Sequence, residues 1–296
     1  MVAGAMVAGV LVAGASVGLM NESDPTGDPR RTAIITGAGA PDGIGFAAAR
    51  RLALAGMNVV IGATSERIHE RAAELRLALE GAAGGAALAG SDVPAPGVVP
   101  VIADLTEVAG AEAVVQASLE HFGRIDVLVN NAGMTSVSDP QAPADIDEIG
   151  LDGWNHALTR NLTTSFLMTR AALPHLRQRE AARIVMVSSV SGPLLAYPGD
   201  VGYHAGKAGL MGLVRSLAID LAPQQITVNA VAPGWIRTGS ATPREIEMGD
   251  ATPLGRSGTP DEVASAIEYL ASTGASYVTG QMLVVDGGNS IQDEKG

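Results

Sequence analysis

From Arg31 onward, short apolar runs alternate with amphipathic stretches. Ala33-Ile34-Ile35-Thr36 is an unbroken apolar run that closes in glycines, the pattern of a strand buried on both faces. An alanine-rich helix is expected over 43–55. Val59-Val60-Ile61 reads as a second strand, and 66–79 as an amphipathic helix with its charges on one face. Residues 81–97, rich in Ala, Gly and Pro, read as a long exposed loop. Strands then follow at 98–103, 127–130, 184–187, 227–231 and 282–285, with helices at 107–122, about 153–176, 203–221 and 260–271. In the helix over 203–221, Leu210, Val214, Leu217 and Leu221 fall on one buried stripe. The stretch 238–252 is short and polar, with Gly239, Ser240, Glu245, Glu247 and Asp250. Regular alternation without an internal repeat predicts an α/β chain with a doubly wound parallel sheet, in a single domain over 31–296.

Composition narrows the chemistry. Lys and Arg total 19 against 31 Asp and Glu, a net charge of −12 over 296 residues. That balance argues against a nucleic-acid partner, which calls for a basic surface. With no Cys, disulfides, thiolate-held metals and thiol nucleophiles are excluded. The five histidines have no H-E-x-x-H spacing, and no metal is expected. Residues 1–20 carry no charge and are long enough to span a membrane. No Lys or Arg precedes them, as a secretory signal requires, and Arg30 and Arg31 come only after three acids. Residues 1–30 are therefore read as a dispensable extension and linker, with Met20 as an alternative start and no stable membrane insertion. Gly14-Ala15-Ser16-Val17-Gly18 matches a hydrolase elbow but precedes any sheet, so it is set aside. A soluble, cytoplasmic protein is expected.

Ligands of doubly wound sheets sit beyond the carboxyl ends of the strands. The first such end is Thr36-Gly37-Ala38-Gly39-Ala40-Pro41-Asp42-Gly43-Ile44-Gly45. Its glycines let backbone approach a pyrophosphate at the N-terminus of the next helix. Strand three ends in Asp104-Leu105, strand four in Asn130-Asn131-Ala132-Gly133, and strand six in Pro233-Gly234-Trp235-Ile236-Arg237-Thr238. Ser188-Ser189-Val190-Ser191 places hydroxyls at the end of strand five. Tyr203 and Lys207 stand four apart at a helix start, on one face, where a cation would lower the pKa of the phenol. Asn161 falls inside an expected helix, a position for which asparagine has poor propensity.

Taken in order, the glycine turn, Asn-Asn-Ala-Gly, Asn161, the Ser pair, Tyr-x-x-x-Lys and Pro-Gly-x-Ile-x-Thr resemble the short-chain dehydrogenase/reductase family, over about 31–288. The look is nearest to 3-oxoacyl-acyl-carrier-protein reductases. The resemblance implies a Rossmann-like fold and hydride transfer between a nicotinamide cofactor and a small-molecule ketone or alcohol. It implies Tyr203 as acid/base, Lys207 tuning it and holding the nicotinamide ribose, and Ser189 bonding the carbonyl, with Ser188 and Ser191 as alternative hydroxyls. Asn161 would anchor a water leading from Lys207 to solvent. Gly37, Gly39, Gly43, Ile44, Gly45, Asp104, Leu105, Asn131, Ala132, Gly133, Pro233, Gly234, Ile236 and Thr238 would line the cofactor. A homotetramer is implied, built through the helices bearing Asn161 and Tyr203. The competing reading is a non-catalytic dinucleotide-binding or regulatory protein on the same fold.

The glycine turn departs from the family in holding five residues between Gly37 and Gly43, where three are common. Cofactor choice turns on the end of strand two. Ala63 stands where an NAD-selecting acid is usual, and Thr64, Ser65 and Arg67 follow with donors and charge for a 2′-phosphate. Asp42 and Glu66 argue the other way. NADP is favoured and NAD remains possible. Arg160, Arg170, Arg177, Arg179 and Arg183 form either a docking patch for an acidic carrier protein or an ordinary solvated helix face. Deleting residues 1–21 is expected to leave a soluble, folded protein of unchanged activity. Aggregation of the truncated chain, or recovery of the full chain in the membrane fraction, would overturn that.

Overall fold

The computed structural model describes residues 30–87, 95–133 and 143–293. The expectations for residues 1–29 and for 88–94 of the Ala/Gly/Pro loop lie outside them. Seven strands form one wholly parallel sheet: β1 (Thr32–Thr36), β2 (Asn58–Ala63), β3 (Val98–Ile102), β4 (Val127–Asn130), β5 (Arg183–Val187), β6 (Thr227–Pro233) and β7 (Met282–Val285). Their order is β3-β2-β1-β4-β5-β6-β7. The order reverses between β1 and β4, the place where a crevice opens in such sheets.

The helices are α1 (Ile44–Leu54), α2 (Arg67–Ala87), α3 (Val108–Phe122), α4 (Leu151–Leu158), α5 (Thr164–Leu176), α6 (Val201–Leu221), α7 (Pro243–Asp250) and α8 (Pro260–Ala271). Neighbouring residues of β1 feed opposite cores because side chains alternate along a strand. Ile35 packs with Leu52, Ile68 and Ile267 on one face. Ile34 packs with Val114, Met168, Leu210 and Val214 on the other. All are fully or almost fully buried, which explains why the strands read as continuous apolar runs.

Three expectations are corrected. Residues 81–87 continue α2 rather than opening a loop, since Ala favours helix and extending a formed helix is cheap. The expected long helix over 153–176 is α4 and α5 joined by a π-helical turn, Thr159–Thr163. The polar stretch 238–252 contains α7, started by a reciprocal cap between Thr242 and Glu245 and by Pro243 in its first turn.

Candidate active site

The glycine turn after β1 is held against the end of β4 by side chain and backbone together. Thr36 Oγ1 accepts hydrogen bonds from the amides of Asn131 and Ala132, both at 3.0 Å. It donates its own proton to the Val129 carbonyl at 3.3 Å. Asn131 Nδ2 donates to the carbonyls of Thr36 and Gly37, each at 3.0 Å. Gly37 has φ +69°, and a Cβ there would lie 2.9 Å from Ala132 Cα, so only glycine suits the position.

The N-terminus of α1 fits a pyrophosphate. Gly43 caps it without a side-chain bond, and its first turn holds no acid. By contrast α6, α7 and α8 are capped by Asp200, Thr242 and Thr259. Uncapped amides at the positive end of an eleven-residue helix, flanked by Gly39, Gly43 and Gly45, form an anion cradle. A Cβ on Gly39 would lie 2.9 Å from Ala63 Cβ, so the turn reaches the end of β2, where Thr64, Ser65 and Arg67 follow. Arg67 Nε donates to Ser65 Oγ at 3.5 Å. After β3, Leu105 is buried, and Asp104 Oδ1 accepts from the amide and hydroxyl of Thr106 at 3.0 and 2.7 Å. Beyond β6, Gly234 packs against Asp286, and Ile236 and Thr238 follow. Asp42 lies with its carboxylate against Gly239 in this same stretch.

The chemical groups come from β5, α6 and the π turn. Ser189 hydrogen-bonds the Tyr203 phenol and accepts the Ser191 amide at 3.0 Å. Ser188 turns away and donates to the Lys207 carbonyl at 3.0 Å. Lys207 is 4% exposed, donates from Nζ to the Val187 carbonyl at 3.0 Å, and stands 5.7 Å from the centre of the Tyr203 ring. Asn161 Nδ2 donates to the Ala157 carbonyl at 3.1 Å. A Cβ added to Gly133 would lie 3.2 Å from both Asn161 Oδ1 and Lys207 Nζ, so the two polar groups converge beneath Gly133. The structure thus gathers Asn161, Ser189, Tyr203 and Lys207 at the sheet's carboxyl edge.

The family profile described as enoyl-(acyl carrier protein) reductase matches residues 37–290. The oxidoreductase UcpA of Salmonella typhimurium is 35% identical over 89% of this chain and 95% of its own length. The chain belongs to the short-chain dehydrogenase/reductase family. A 3-oxoacyl-[acyl-carrier-protein] reductase of Synechocystis is 37% identical over 87% of this chain and 96% of its own. The crystal structure of acetoin dehydrogenase YohF from Salmonella typhimurium superposes with a TM-score of 0.73 at 32% identity, covering 89% of this chain and 98% of that one. This short-chain dehydrogenase/reductase is an NAD(P)-dependent enzyme, 3-oxoacyl reductase-like, that interconverts a ketone and a secondary alcohol by hydride transfer. The non-catalytic reading finds no support among these relatives.

Electrostatics in this short-chain dehydrogenase/reductase correct one expectation. Burial lowers the Lys207 pKa to about 8. Tyr203 is pushed up to about 12, chiefly by burial; the Ser189 hydrogen bond opposes this, and the charges of Asp200 and Glu245 add to it. Burial is the largest influence on the phenol and outweighs the Ser189 hydrogen bond, so the phenol is pushed up rather than down. Two residues near Tyr203, Tyr197 and Asp200, escaped the sequence reading, and Glu245 was read only as part of a polar stretch. An Asp three positions before Tyr203 at a helix start is a capping signal, as is Thr242 three before Glu245. Among the described residues no helix is long and apolar enough to cross a membrane, and no cluster of His, Asp or Glu could hold a metal ion.

Proposed function

We propose that the enzyme reduces a small-molecule ketone with NADPH in the cytoplasm, with Tyr203 as the proton donor. The carrying observation is the hydrogen-bonded pair Ser189–Tyr203, with Lys207 and Asn161 converging beside it. A nicotinamide cofactor held there would supply the hydride for the carbonyl carbon. Ser189 holds the carbonyl oxygen, and the Tyr203 proton passes to that oxygen as the C=O becomes CH–OH. Lys207, with a pKa near 8, would hold the cofactor ribose and return a proton toward Tyr203, and Asn161 would anchor a water leading from Lys207 to solvent. Thr36 and Asn131 keep the pyrophosphate cradle against β4.

A small molecule is favoured over a carrier-bound substrate because the arginine stretch does not form one exposed face. Arg160 is buried and donates to His156, and Arg183 is buried at the start of β5, donating to the Ser272 carbonyl. NADP is favoured at the end of β2. Ala63 stands there in place of an acid and Ser65 and Arg67 follow, while Asp42 rests against Gly239 beyond β6 and Glu66 pairs with His69 at 3.5 Å. A homotetramer through α4, α5 and α6 is supported by exposed Leu151, Phe166 and Ile219 on these helices.

Tyr203→Phe is expected to lower turnover about 100-fold or more across a panel of ketones while leaving NADPH binding nearly intact. A mutant that retains a tenth of the parent rate would show another group to be the acid. Initial rates on one ketone should give a higher kcat/KM with NADPH than with NADH, and Arg67→Ala should erase most of that preference; a ratio favouring NADH rejects the assignment. Light scattering at micromolar concentration is expected to give four copies, and a stable monomer counts against the tetramer.

A further inference from the structure

The glycine turn after β1 and the loop after β6 meet across the crevice. In the order β1-β4-β5-β6 their strands stand three spacings apart, about 14 Å. Yet the Asp42 carboxylate lies on Gly239, where an added Cβ would stand 2.8 Å from the carboxyl carbon, closer than a real Cβ packs. The contact therefore spans the carboxyl ends of β4 and β5. Both partners sit on tight turns. Gly43 donates its amide to the Ala40 carbonyl at 3.2 Å, and Pro41 stiffens the tip that carries Asp42. Opposite, Ala241 donates its amide to the Thr238 carbonyl at 3.0 Å, and this turn runs straight into α7. Gly239 has no positive φ, so the position requires room for the carboxylate rather than a glycine backbone.

We propose that Asp42 and Gly239 form a clasp over the pyrophosphate of the dinucleotide, and that the cofactor leaves only when this clasp opens. The proposal rests on the reading of the α1 N-terminus, which Gly43 caps directly after Asp42, as the pyrophosphate cradle. The two residues by which the turn exceeds the common length supply the reach, since each extended residue adds about 3.5 Å. A pyrophosphate on the α1 amides would lie under the bridge, between the glycine turn and the stretch from Gly234 to Thr238. The clasp acts by shape. A carboxylate facing a pyrophosphate repels it, so the charge of Asp42 works against retention while its bulk closes the gap. Removing the charge alone and removing the bulk therefore act in opposite directions.

The test is the rate of cofactor release from the full-length protein, followed by stopped flow through the fluorescence of the reduced nicotinamide. NADPH and NADH are titrated first and the tighter binder is used. A wrong cofactor choice then appears in the titration, and a wrong clasp in the rate. Gly239→Ala should speed release about fivefold or more, because its methyl group displaces Asp42. Asp42→Gly should speed release by a similar factor. Asp42→Asn, of the same shape, should release as slowly as the parent or more slowly. In the double variant Asp42→Gly with Gly239→Ala the two effects should not add, since nothing is left to displace. Release at the parent rate from Gly239→Ala, or effects that multiply in the double variant, would rule the clasp out. So would faster release from Asp42→Asn. Failure of both dinucleotides to bind would instead reject the cradle.

Discussion

Everything in this molecule hangs on the closure of β1 against β4. Parallel strands leave their last amides and carbonyls unpaired, and here one hydroxyl answers several of them. Thr36 accepts two amides from the far strand end and donates to a third residue on β4, and Asn131 returns two bonds to the turn. Five hydrogen bonds within a few ångströms fix how far apart the two halves of the sheet stand at their carboxyl edge. The glycine turn can then be nearly all backbone, because its position is set from outside rather than by its own side chains.

Burial sets the protonation states on the other side of the crevice. The same loss of solvent that lowers Lys207 raises Tyr203, since each group retreats to its neutral form. Hydrogen bonds modulate that outcome and do not reverse it. A resting site with a neutral phenol beside a lysine that sheds its proton near pH 8 can pass a proton inward with little charge to accommodate.

Much of this was legible in the sequence. Apolar runs such as Ala33-Ile34-Ile35-Thr36 have no polar positions to confuse their period, and all seven strands stand within two residues of the expected bounds. Asn161 stood out by its poor helix propensity, and Tyr203, Lys207 and Ser189 by falling in order, at strand and helix ends, within a motif set that resembles a known family. What escaped depends on tertiary contact or on caps. Helix α7 has only Ile246 and Met248 to turn inward, too little for a periodic signal, although its cap was written in Thr242 and Glu245. The direction of the Tyr203 shift could not be read from spacing, since i, i+4 proximity to a lysine says nothing about how much water either group has lost.

The π turn at Thr159–Thr163 has a mechanical meaning for the rod that contains it. One surplus residue per turn rotates everything upstream by roughly 100° relative to everything downstream. A single continuous helix can therefore show one flank to α6, where Ala157 fits the space above Gly202, and a differently phased flank to α3 and β4. Asn161 sits at the joint between the two phases, on backbone that neither flank dictates alone. The rod works as a pair of keys cut at different angles on one shaft, and the polar side chain at the collar is aimed by the offset between them.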